Sequence, residues 1–378
     1  MSYATVNPAE TELRIPYEDL LTFVTDVLVS RGMREDRARS AAEALCYGDL
    51  TGLSSHGVAN LTRLYLPLFD SGRVDPVAEP LVVTDRGAAV LVDARRSLGL
   101  WAASELMDVA IRRAATHGVG LVSVRNATHF GCAGYHAGRA AEQRMVGLIA
   151  SNCGRQRIAR PPGGAVAMLG TNPFSIAAPA GPHPPYILDM STTVVPTGRI
   201  RAAARNGESV PPGWLEDAEG QPVTDPAAFD RGEAALLWLG GRPETGAFKG
   251  FGLGLLVEVL AALVSGSGMG PEPEALLGDG GPSGSDDDIG FVTIAIAPDA
   301  LRPAEDVTEQ AATLFGTLLG CPPAQKGGSV SYPGRREAQQ AEENQRLGVP
   351  IPEPIHRELT ELADLHCLRA PHPIGSTE

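Results

Sequence analysis

Residues 119–136 read VGLVSVRNATHFGCAGYH, and this stretch decides the fold that we predict. The valine-rich run Val119–Val124 predicts a strand, and the alanine-rich run Ala133–Arg144 predicts a helix. His129 then lies in the turn between the two elements. In open α/β sheets, ligand sites gather where the carboxyl ends of strands meet helix starts, so His129 is a candidate site residue. The competing interpretation is a histidine that only caps or packs.

The same alternation of strands and helices continues on both sides of this stretch and predicts an α/β layer. The predicted strands around it are Leu81–Thr84, Ala89–Asp93, Val146–Ser151, Phe174–Ala178, Tyr186–Asp189 and Ile289–Ala297. Helical spacing dominates towards both chain ends, over Tyr17–Ser30, Glu35–Leu50, Val58–Phe69, Ala304–Leu319, Arg335–Leu347 and Pro354–Cys367. Residues 1–15 are predicted to form a loose arm, and residues 207–248 are predicted to be rich in loops.

Composition limits the class of protein. The chain has 378 residues, 43% of them apolar, which is enough for two or three domains with sizeable cores. Its net charge of −14 argues against nucleic acid as a partner, because phosphate binding needs clustered basic residues. The five scattered cysteines form no metal-ligand or disulfide pattern, so we expect a reducing, cytoplasmic location. The apolar run Phe251–Val264 is too short to span a bilayer, so we expect no membrane association.

Two further turns carry candidate binding residues. Ser55-His56-Gly57 precedes a predicted helix, which places His56 near a helix N-terminus, although a hydrogen-bonded turn histidine is the simpler interpretation. Arg155, Arg157 and Arg160 follow a strand, and such a cluster either holds a carboxylate or phosphate or forms a solvated loop.

The segment Phe248-Lys249-Gly250-Phe251-Gly252-Leu253-Gly254 opens an apolar helix. It contains no Walker A string, and its glycines match a dinucleotide fingerprint only in part. Lys249 and exposed amides at a helix start would suit an anion. A glycine-faced helix that packs closely on a neighbour explains the glycines equally well.

Five motifs occur along the chain in a fixed order. They are Ser55-His56-Gly57, Thr128-His129-Phe130-Gly131, Gly170-Thr171-Asn172-Pro173, Asp189-Met190-Ser191-Thr192 and Lys249-Gly250-Phe251-Gly252-Leu253. Together they resemble the malate/L-lactate dehydrogenase family of the second type. That family also includes ureidoglycolate, sulfolactate and diketogulonate dehydrogenases and Δ1-piperideine-2-carboxylate reductases. The resemblance runs from about Tyr17 to about Leu365.

The resemblance implies an α/β fold with a cofactor-binding sheet domain that is not of the Rossmann type. A second, mostly helical domain would be built from both chain ends. We therefore predict a helical part at 1–78, an NAD(P)-binding domain at 79–298 and a second helical part at 299–378. The family also implies a homodimer acting on a small-molecule substrate, with NAD or NADP as cofactor.

The resemblance further implies roles for single residues. His129 matches the catalytic histidine, which exchanges a proton with the substrate while hydride moves to or from the nicotinamide. His56 matches a second histidine, expected with Ser55 to contact substrate or nicotinamide. The cofactor would be lined by Cys153, Thr171, Asn172, Asp189, Met190, Ser191, Lys249 and Gly250.

One departure from the family pattern bears on the substrate. The family commonly reads Ser-His-Gly-x-x-Arg, where the arginine grips a carboxylate, and this chain has Asn60 at the arginine position. Loss of such a charge-assisted pair costs about 1.5–3 kcal/mol. We therefore expect an atypical ketone or imine substrate of a specialised biosynthetic pathway. The alternatives are a conventional 2-hydroxy acid dehydrogenase that uses Arg63 or Arg155 instead, and a catalytically impaired member that acts as a binding protein.

A metal hydrolase that uses His129 and His136 is a further idea. The two residues are seven apart and so share a helix face, but no acidic residue stands at metal-ligand spacing. We predict no metal site.

Overall fold

The computed structural model describes residues 12–278, 280–282 and 288–375. In these ranges the strands are β1 (Glu12–Ile15), β2 (Leu81–Asp85), β3 (Ala89–Asp93), β4 (Val119–Ala127), β5 (Val146–Ser151), β6 (Phe174–Ala180), β7 (His183–Met190), β8 (Leu215–Glu216), β9 (Pro222–Val223), β10 (Ala235–Leu236), β11 (Ile289–Ile296) and β12 (Val349–Pro352). The α-helices are α1 (Tyr17–Ser30), α2 (Glu35–Leu50), α3 (Leu66–Asp70), α4 (Gly99–His117), α5 (Ala133–Glu142), α6 (Thr197–Asn206), α7 (Ala227–Asp230), α8 (Ala247–Glu258), α9 (Ala304–Leu319), α10 (Arg335–Leu347) and α11 (Glu353–His366).

The chain divides into two compact units. We call Met1–Val77 with Arg335–Glu378 the helical unit, and Ala78–Gly334 the sheet unit. The sequence prediction instead assigned residues 299–378 to the helical domain. The difference lies in α9, whose Phe315 packs in the sheet unit with Ala180 and Tyr332.

The helical unit is organised by α1 and α2, which pack on each other. The apolar positions that predicted these helices are buried, among them Leu21 and Val24 in α1 and Leu45 in α2. One strand from each end region of the chain, β1 and β12, pairs in a two-stranded antiparallel sheet. The prediction of a loose arm over 1–15 was therefore wrong for Glu12–Ile15, and residues 1–11 lie outside the described residues.

The sheet unit is built on a seven-stranded sheet with the order β2-β3-β4-β11-β5-β6-β7. Neighbouring strands are antiparallel except for β3 and β4, which are parallel. The predicted α/β architecture is confirmed. A Rossmann sheet is mostly parallel, so this sheet has a different topology, as the family resemblance implied.

Helices cover both faces of this sheet. Phe291 of β11 and Ile149 of β5 belong to one core cluster, which also holds Met107 of α4 and Ala137 of α5. Because successive side chains on a strand point to opposite faces, the next residues, Val292 and Ala150, point the other way. They pack with Val257 of α8 and with Ala261 of the π-helical segment Val259–Leu263.

Two local predictions differ from the structure. The predicted helix Val58–Phe69 is a π-helical segment, Leu61–Tyr65, followed by the short helix α3. The predicted loop-rich region 207–248 contains β8, β9 and β10, which form a small antiparallel sheet. Strands of two residues are too short for a period-two pattern to reveal them.

Among the described residues, no helix has both the length and the apolar character that crossing a membrane requires.

Candidate active site

His129 lies in the turn between the end of β4 and the start of α5 and is half-buried. The backbone N–H of Gly131 donates a hydrogen bond to His129 Nδ1 at 3.2 Å. An N–H group can only donate, so Nδ1 is an acceptor and carries no proton in this arrangement. In the neutral ring the proton therefore resides on Nε2.

The backbone of this turn is held closely against the start of α4. Thr128 Oγ1 accepts a hydrogen bond from the N–H of Gly99 at 2.8 Å. A Cβ atom at position 99 would lie 2.3 Å from the Thr128 carbonyl oxygen and 2.6 Å from that of His129. Only glycine fits there, so the contact fixes the backbone that carries His129.

His136, on α5, is fully buried and faces the same turn. Its Nε2 donates to the Phe130 carbonyl at 2.9 Å, and its Nδ1 lies 3.0 Å from Ser104 Oγ. Burial lowers the pKa of His136 to about 4, so the ring is neutral near pH 7. No group of three or more potential ligands for a metal occurs in the part of the chain that the structure describes, which gives the metal hydrolase idea no support.

Asp189 joins this turn to the residues that were predicted to line the cofactor. It lies near the end of β7, and its Oδ2 accepts a hydrogen bond from the N–H of Gly134 at 2.6 Å. Gly134 is in the first turn of α5, where a carboxylate is favoured by the helix dipole. The end of β7 and the segment around His129 are thereby brought together in one unit.

The residues after Asp189 continue the predicted cofactor segment. Met190 pairs with Phe174 at the end of the strand ladder, and Ser191 Oγ donates to the Thr193 carbonyl at 3.2 Å. Both Thr192 N–H and Thr192 Oγ1 donate to the Thr171 carbonyl, at 2.9 and 2.8 Å. The motifs around Thr171 and Asp189 are thus neighbours in the fold.

Cys153 lies beside Thr171. Its Sγ is 3.4 Å from Thr171 Oγ1. Burial raises the pKa of this thiol, so the neutral thiol is favoured over the nucleophilic thiolate. Nucleophilic catalysis by Cys153 is therefore disfavoured, and its contact with the cofactor stays a prediction.

Asn172 is fully buried and has a left-handed backbone, with a φ of 38°. Its Nδ2 donates to the Gly254 carbonyl at 3.0 Å and to Glu258 Oε2 at 2.8 Å. These bonds tie the Asn172 turn to α8. Asn172, which was predicted to line the cofactor, therefore has its side chain in the protein interior, where its amide group is bound to α8.

Sequence reasoning missed Glu258 and Asn152 as supports of this site. Glu258 Oε1 accepts hydrogen bonds from Gly270 N–H at 2.7 Å and from Asn152 Nδ2 at 3.2 Å. Burial raises the pKa of Glu258, against the effect of these hydrogen bonds. A lone acid within the apolar run was the signal available, because a buried carboxylate needs polar partners.

Lys249 lies in the first turn of α8, and its side chain is exposed. The predicted cradle of exposed amides is only partly present, because Ala247 N–H donates to the Arg242 carbonyl and Lys249 N–H to the Gly246 carbonyl. The attraction for an anion at this helix start thus rests mainly on the Lys249 charge.

The glycines of α8 are used for packing. A Cβ atom at Gly250 would lie 2.5 Å from both the N and O atoms of Leu239, and one at Gly254 would lie 2.6 Å from the Trp238 ring. The alternative of a glycine-faced, closely packed helix therefore accounts for Gly250. A cofactor-binding role for Gly250 stays a prediction.

The remaining predicted residues of the first motif lie in the helical unit. His56 Nδ1 is 3.0 Å from the hydroxyl of Ser55, and burial lowers the pKa of His56. Asn60 Nδ2 donates to the Ser55 carbonyl at 2.9 Å. The asparagine therefore closes the turn that carries His56.

The two arginines proposed as substitutes for the missing one both lie near carboxylates. Arg63 Nη2 is 3.0 Å from Glu358 Oε1, and Thr62 Oγ1 donates to the second oxygen of that carboxylate at 3.2 Å. Arg155, in the sheet unit, lies 3.8 Å from Glu272. Each arginine is already partly neutralised by an acidic residue.

Asp49 is a buried residue of the helical unit that sequence reasoning missed. Its Oδ2 accepts the N–H of Val58 at 2.7 Å, and a Cβ atom at Gly57 would lie 2.2 Å from the carboxylate oxygens. Burial raises the pKa of Asp49 to about 7. This carboxylate supports the turn immediately after His56.

Comparison with known proteins agrees with the order of the motifs. A family model described as malate/L-lactate dehydrogenase matches residues 15–360. A malate dehydrogenase from Pyrococcus horikoshii is 32% identical over 355 residues, which cover 94% of this chain and 96% of that protein. The resemblance that the five motifs predicted is confirmed.

Solved structures show the same fold. A malate dehydrogenase from Entamoeba histolytica is 26% identical and superimposes with a TM-score of 0.88, covering 96% of this chain and 100% of that one. A Δ1-piperideine-2-carboxylate reductase from Pseudomonas syringae is 27% identical with a TM-score of 0.79, covering 93% of this chain and 99% of that one.

Proposed function

Because this chain belongs to the malate/L-lactate dehydrogenase family, and is thus an oxidoreductase, we propose that it transfers a hydride between a nicotinamide cofactor and the carbonyl or imine carbon of a small substrate. His129 is the residue that exchanges the accompanying proton with the substrate. The observation that carries the proposal is the Asp189–Gly134 hydrogen bond of 2.6 Å, which joins the predicted cofactor segment to the helix beginning after His129.

The donor set suits a nicotinamide dinucleotide. Such a cofactor presents ribose hydroxyls and an anionic diphosphate. Thr171 and Ser191 supply hydroxyl groups, Asp189 supplies a carboxylate for ribose hydroxyls, and the exposed Lys249 supplies a cation for the diphosphate. When bound, the cofactor supplies the hydride donor or acceptor. NAD and NADP are both candidates, and NADP would need an arginine or lysine beside its ribose.

His129 is suited to the proton exchange by its ring geometry. With Nδ1 accepting from Gly131 N–H, Nε2 is the nitrogen that carries the proton in the neutral ring. We therefore assign Nε2 as the atom that faces the substrate oxygen or nitrogen. Imidazole suits this step because both of its protonation states are accessible near neutral pH.

The substrate that we propose lacks a carboxylate at the place where the family pattern has an arginine. Asn60 occupies that position and uses its amide to close a turn with Ser55, while Arg63 is engaged by Glu358. An amide has neither the charge nor the fork geometry that grips a carboxylate. A ketone or imine without that carboxylate therefore suits Asn60 better. One structural neighbour is named a reductase of Δ1-piperideine-2-carboxylate, which supports an imine as the reduced group although that imine carries a carboxylate.

A conventional 2-hydroxy acid dehydrogenase remains the second candidate. The named malate dehydrogenases among the relatives favour it, and Arg63 and Arg155 are the available cations. The Arg155 side chain is 50% exposed and lies 3.8 Å from Glu272, whereas Arg63 lies 3.0 Å from Glu358, so Arg155 is the less strongly engaged of the two arginines. The third candidate function is that of a binding protein without turnover, and the assay described next tests it as well.

The proposal is tested by following the absorbance of the nicotinamide. The purified chain is incubated with NADH or NADPH and a panel of 2-oxo acids, cyclic imines and ketones. We expect turnover of an imine or ketone, with kcat/KM well above that for oxaloacetate or pyruvate. Efficient turnover of oxaloacetate or pyruvate would favour the conventional dehydrogenase, and cofactor binding without turnover of any substrate would favour the binding protein.

We also propose that the chain forms a homodimer, as the family resemblance implies. Support comes from a row of exposed apolar side chains along α8 and its π-helical continuation. Phe248, Leu256 and Leu263 are 62%, 51% and 64% exposed, and apolar surface of this kind is typical of subunit interfaces. Light scattering coupled to gel filtration tests this, and a monomeric mass at micromolar concentration would contradict it.

A further inference from the structure

One peptide group links the two histidines of the His129 turn. The carbonyl of the Phe130–Gly131 peptide accepts a hydrogen bond from His136 Nε2 at 2.9 Å. The N–H of the same peptide donates to His129 Nδ1 at 3.2 Å. A change at one end of this peptide therefore acts on the other end through a single rigid plane.

The directions of these hydrogen bonds follow from the groups involved. A carbonyl oxygen only accepts, so His136 Nε2 carries a proton and donates. The buried His136 ring is neutral, so its Nδ1 has no proton and accepts from the hydroxyl of Ser104 at 3.0 Å. The chain of donors thus runs from Ser104 to His136, through the peptide, and on to His129.

We infer that His136 is a positioning residue for His129: together with Ser104 it holds the Phe130–Gly131 peptide so that the N–H points at His129 Nδ1 and the proton of His129 stays on Nε2. The importance of this for turnover rests on the proposed function. A hydrogen bond to a peptide carbonyl polarises the amide and strengthens its N–H as a donor. The arrangement thereby selects one tautomer of His129.

The surroundings of His136 exclude a direct catalytic role. Its ring is fully buried and makes edge-to-face contacts with Phe130 and Tyr135, at centroid distances of 5.3 and 5.2 Å. No solvent-exposed face remains from which it could reach a substrate. His136 instead fixes the orientation of the Phe130–Gly131 peptide. The effect of that orientation is measured as the tautomer of His129.

Two substitutions of His136 separate this role from simple packing. His136→Gln keeps an N–H donor for the Phe130 carbonyl and an oxygen that accepts from Ser104. His136→Leu fills similar space but donates no hydrogen bond. Ring nitrogen chemical shifts of ¹⁵N-histidine report the tautomer of His129, whose signals are assigned by their loss in His129→Gln.

We expect the wild type and His136→Gln to show His129 protonated on Nε2, and His136→Leu to show a mixture of tautomers. In His136→Leu we also expect kcat to fall about tenfold or more, which is part of the roughly 10²–10⁴-fold that a positioned proton donor contributes. The dissociation constant of the cofactor should stay unchanged. Unchanged His129 nitrogen shifts in a folded His136→Leu variant would overturn the inference.

If His136→Leu does not fold, Ser104→Ala decides. It removes the donor to His136 Nδ1, so His136 can change tautomer, and we expect a smaller shift at His129 in the same direction. No shift there would overturn the inference as well. Because the tautomer is measured without substrate, a shift in a chain without turnover would leave the inference standing while the proposed function fails.

Discussion

Arg63 donates a hydrogen bond from Nη2 to Oε1 of Glu358 at 3.0 Å, and the two residues lie 295 positions apart in the helical unit. Thr62 donates to the second oxygen of the same carboxylate. The pair matters because Arg63 is a candidate to replace the arginine missing at position 60. An arginine that already faces a carboxylate attracts a substrate anion less strongly.

Glu358→Gln releases Arg63 and tests this candidate. Both side chains are more than a third exposed, so the free energy of unfolding should change by less than about 1 kcal/mol. If Arg63 has no role towards a substrate carboxylate, kcat/KM for 2-oxo acids stays the same. A tenfold rise that disappears in the double variant with Arg63→Gln would show that Arg63 binds the carboxylate.

Asn60→Arg restores the residue type that the family pattern has at this position. We expect kcat/KM for 2-oxo acids to rise about ten- to hundredfold, because a charge-assisted pair contributes about 1.5–3 kcal/mol. Asn60→Gln is the matched control, since it lengthens the side chain without adding charge. Equal effects of the two substitutions on 2-oxo acids would argue that position 60 does not contact the carboxylate.

The sequence predicted the elements whose pattern is local and long. Regular apolar spacing indicated α1 and α2, and the strand–turn–helix pattern indicated the position of His129. The pairing of β1 with β12 was missed because each strand has four residues and its partner lies at the other end of the chain. Local periodicity carries no information about such a partner.

In the candidate site, too, contacts between distant segments were not predicted from the sequence. The family resemblance predicted a shared site for the segments around Thr171 and Asp189, which are neighbours in the structure, but it did not indicate the buried residues that support them. Glu258 has hydrogen-bond partners 86 and 106 residues away, in Asn172 and Asn152. Gly250 was predicted to approach a cofactor, and it closely approaches the Leu239 backbone. Such uses depend on distances between segments, which only the folded chain defines.

His129→Gln tests the proton exchange directly. Glutamine keeps polar atoms of similar reach but does not titrate, so turnover should fall by at least about a hundredfold while cofactor affinity is retained. The readouts are kcat from nicotinamide absorbance and the dissociation constant from fluorescence titration. His372→Gln, at an exposed position, serves as the control. Retained turnover in His129→Gln would remove His129 from the catalytic role.

Alanine substitutions at two nearby glycines of α8 should have opposite effects on stability. Gly250→Ala places a methyl group 2.5 Å from the Leu239 backbone, so the free energy of unfolding should fall by about 1–3 kcal/mol. At Gly252 the added carbon would have no described atom within 4 Å apart from the adjacent residues and backbone of its own helix. Gly252→Ala should therefore stabilise the helix by roughly 0.5–1 kcal/mol. Urea unfolding measures both, and similar destabilisation by both would contradict the packing of Gly250.

Asp49 gives the helical unit a pH-dependent stability. Burial raises its pKa from 3.8 to about 7, so between these values the folded chain holds a proton that the unfolded chain has lost. The contribution of Asp49 to the free energy of unfolding therefore falls as pH rises between these two values, by about 1.4 kcal/mol per pH unit at most. Above about pH 7 both states are ionised, and the contribution of this group becomes constant.

Asp49→Asn removes this titration while its amide oxygen still accepts the N–H of Val58. We expect the stability of the variant relative to wild type to increase steadily from about pH 4 to pH 7 and to level off above. Asp26→Asn, an exposed substitution on α1, should show no such trend. Urea unfolding at a series of pH values measures the difference. Parallel pH profiles for wild type and Asp49→Asn would mean that Asp49 is ionised in the folded chain throughout, and the support of the His56 turn would then come from a charged carboxylate.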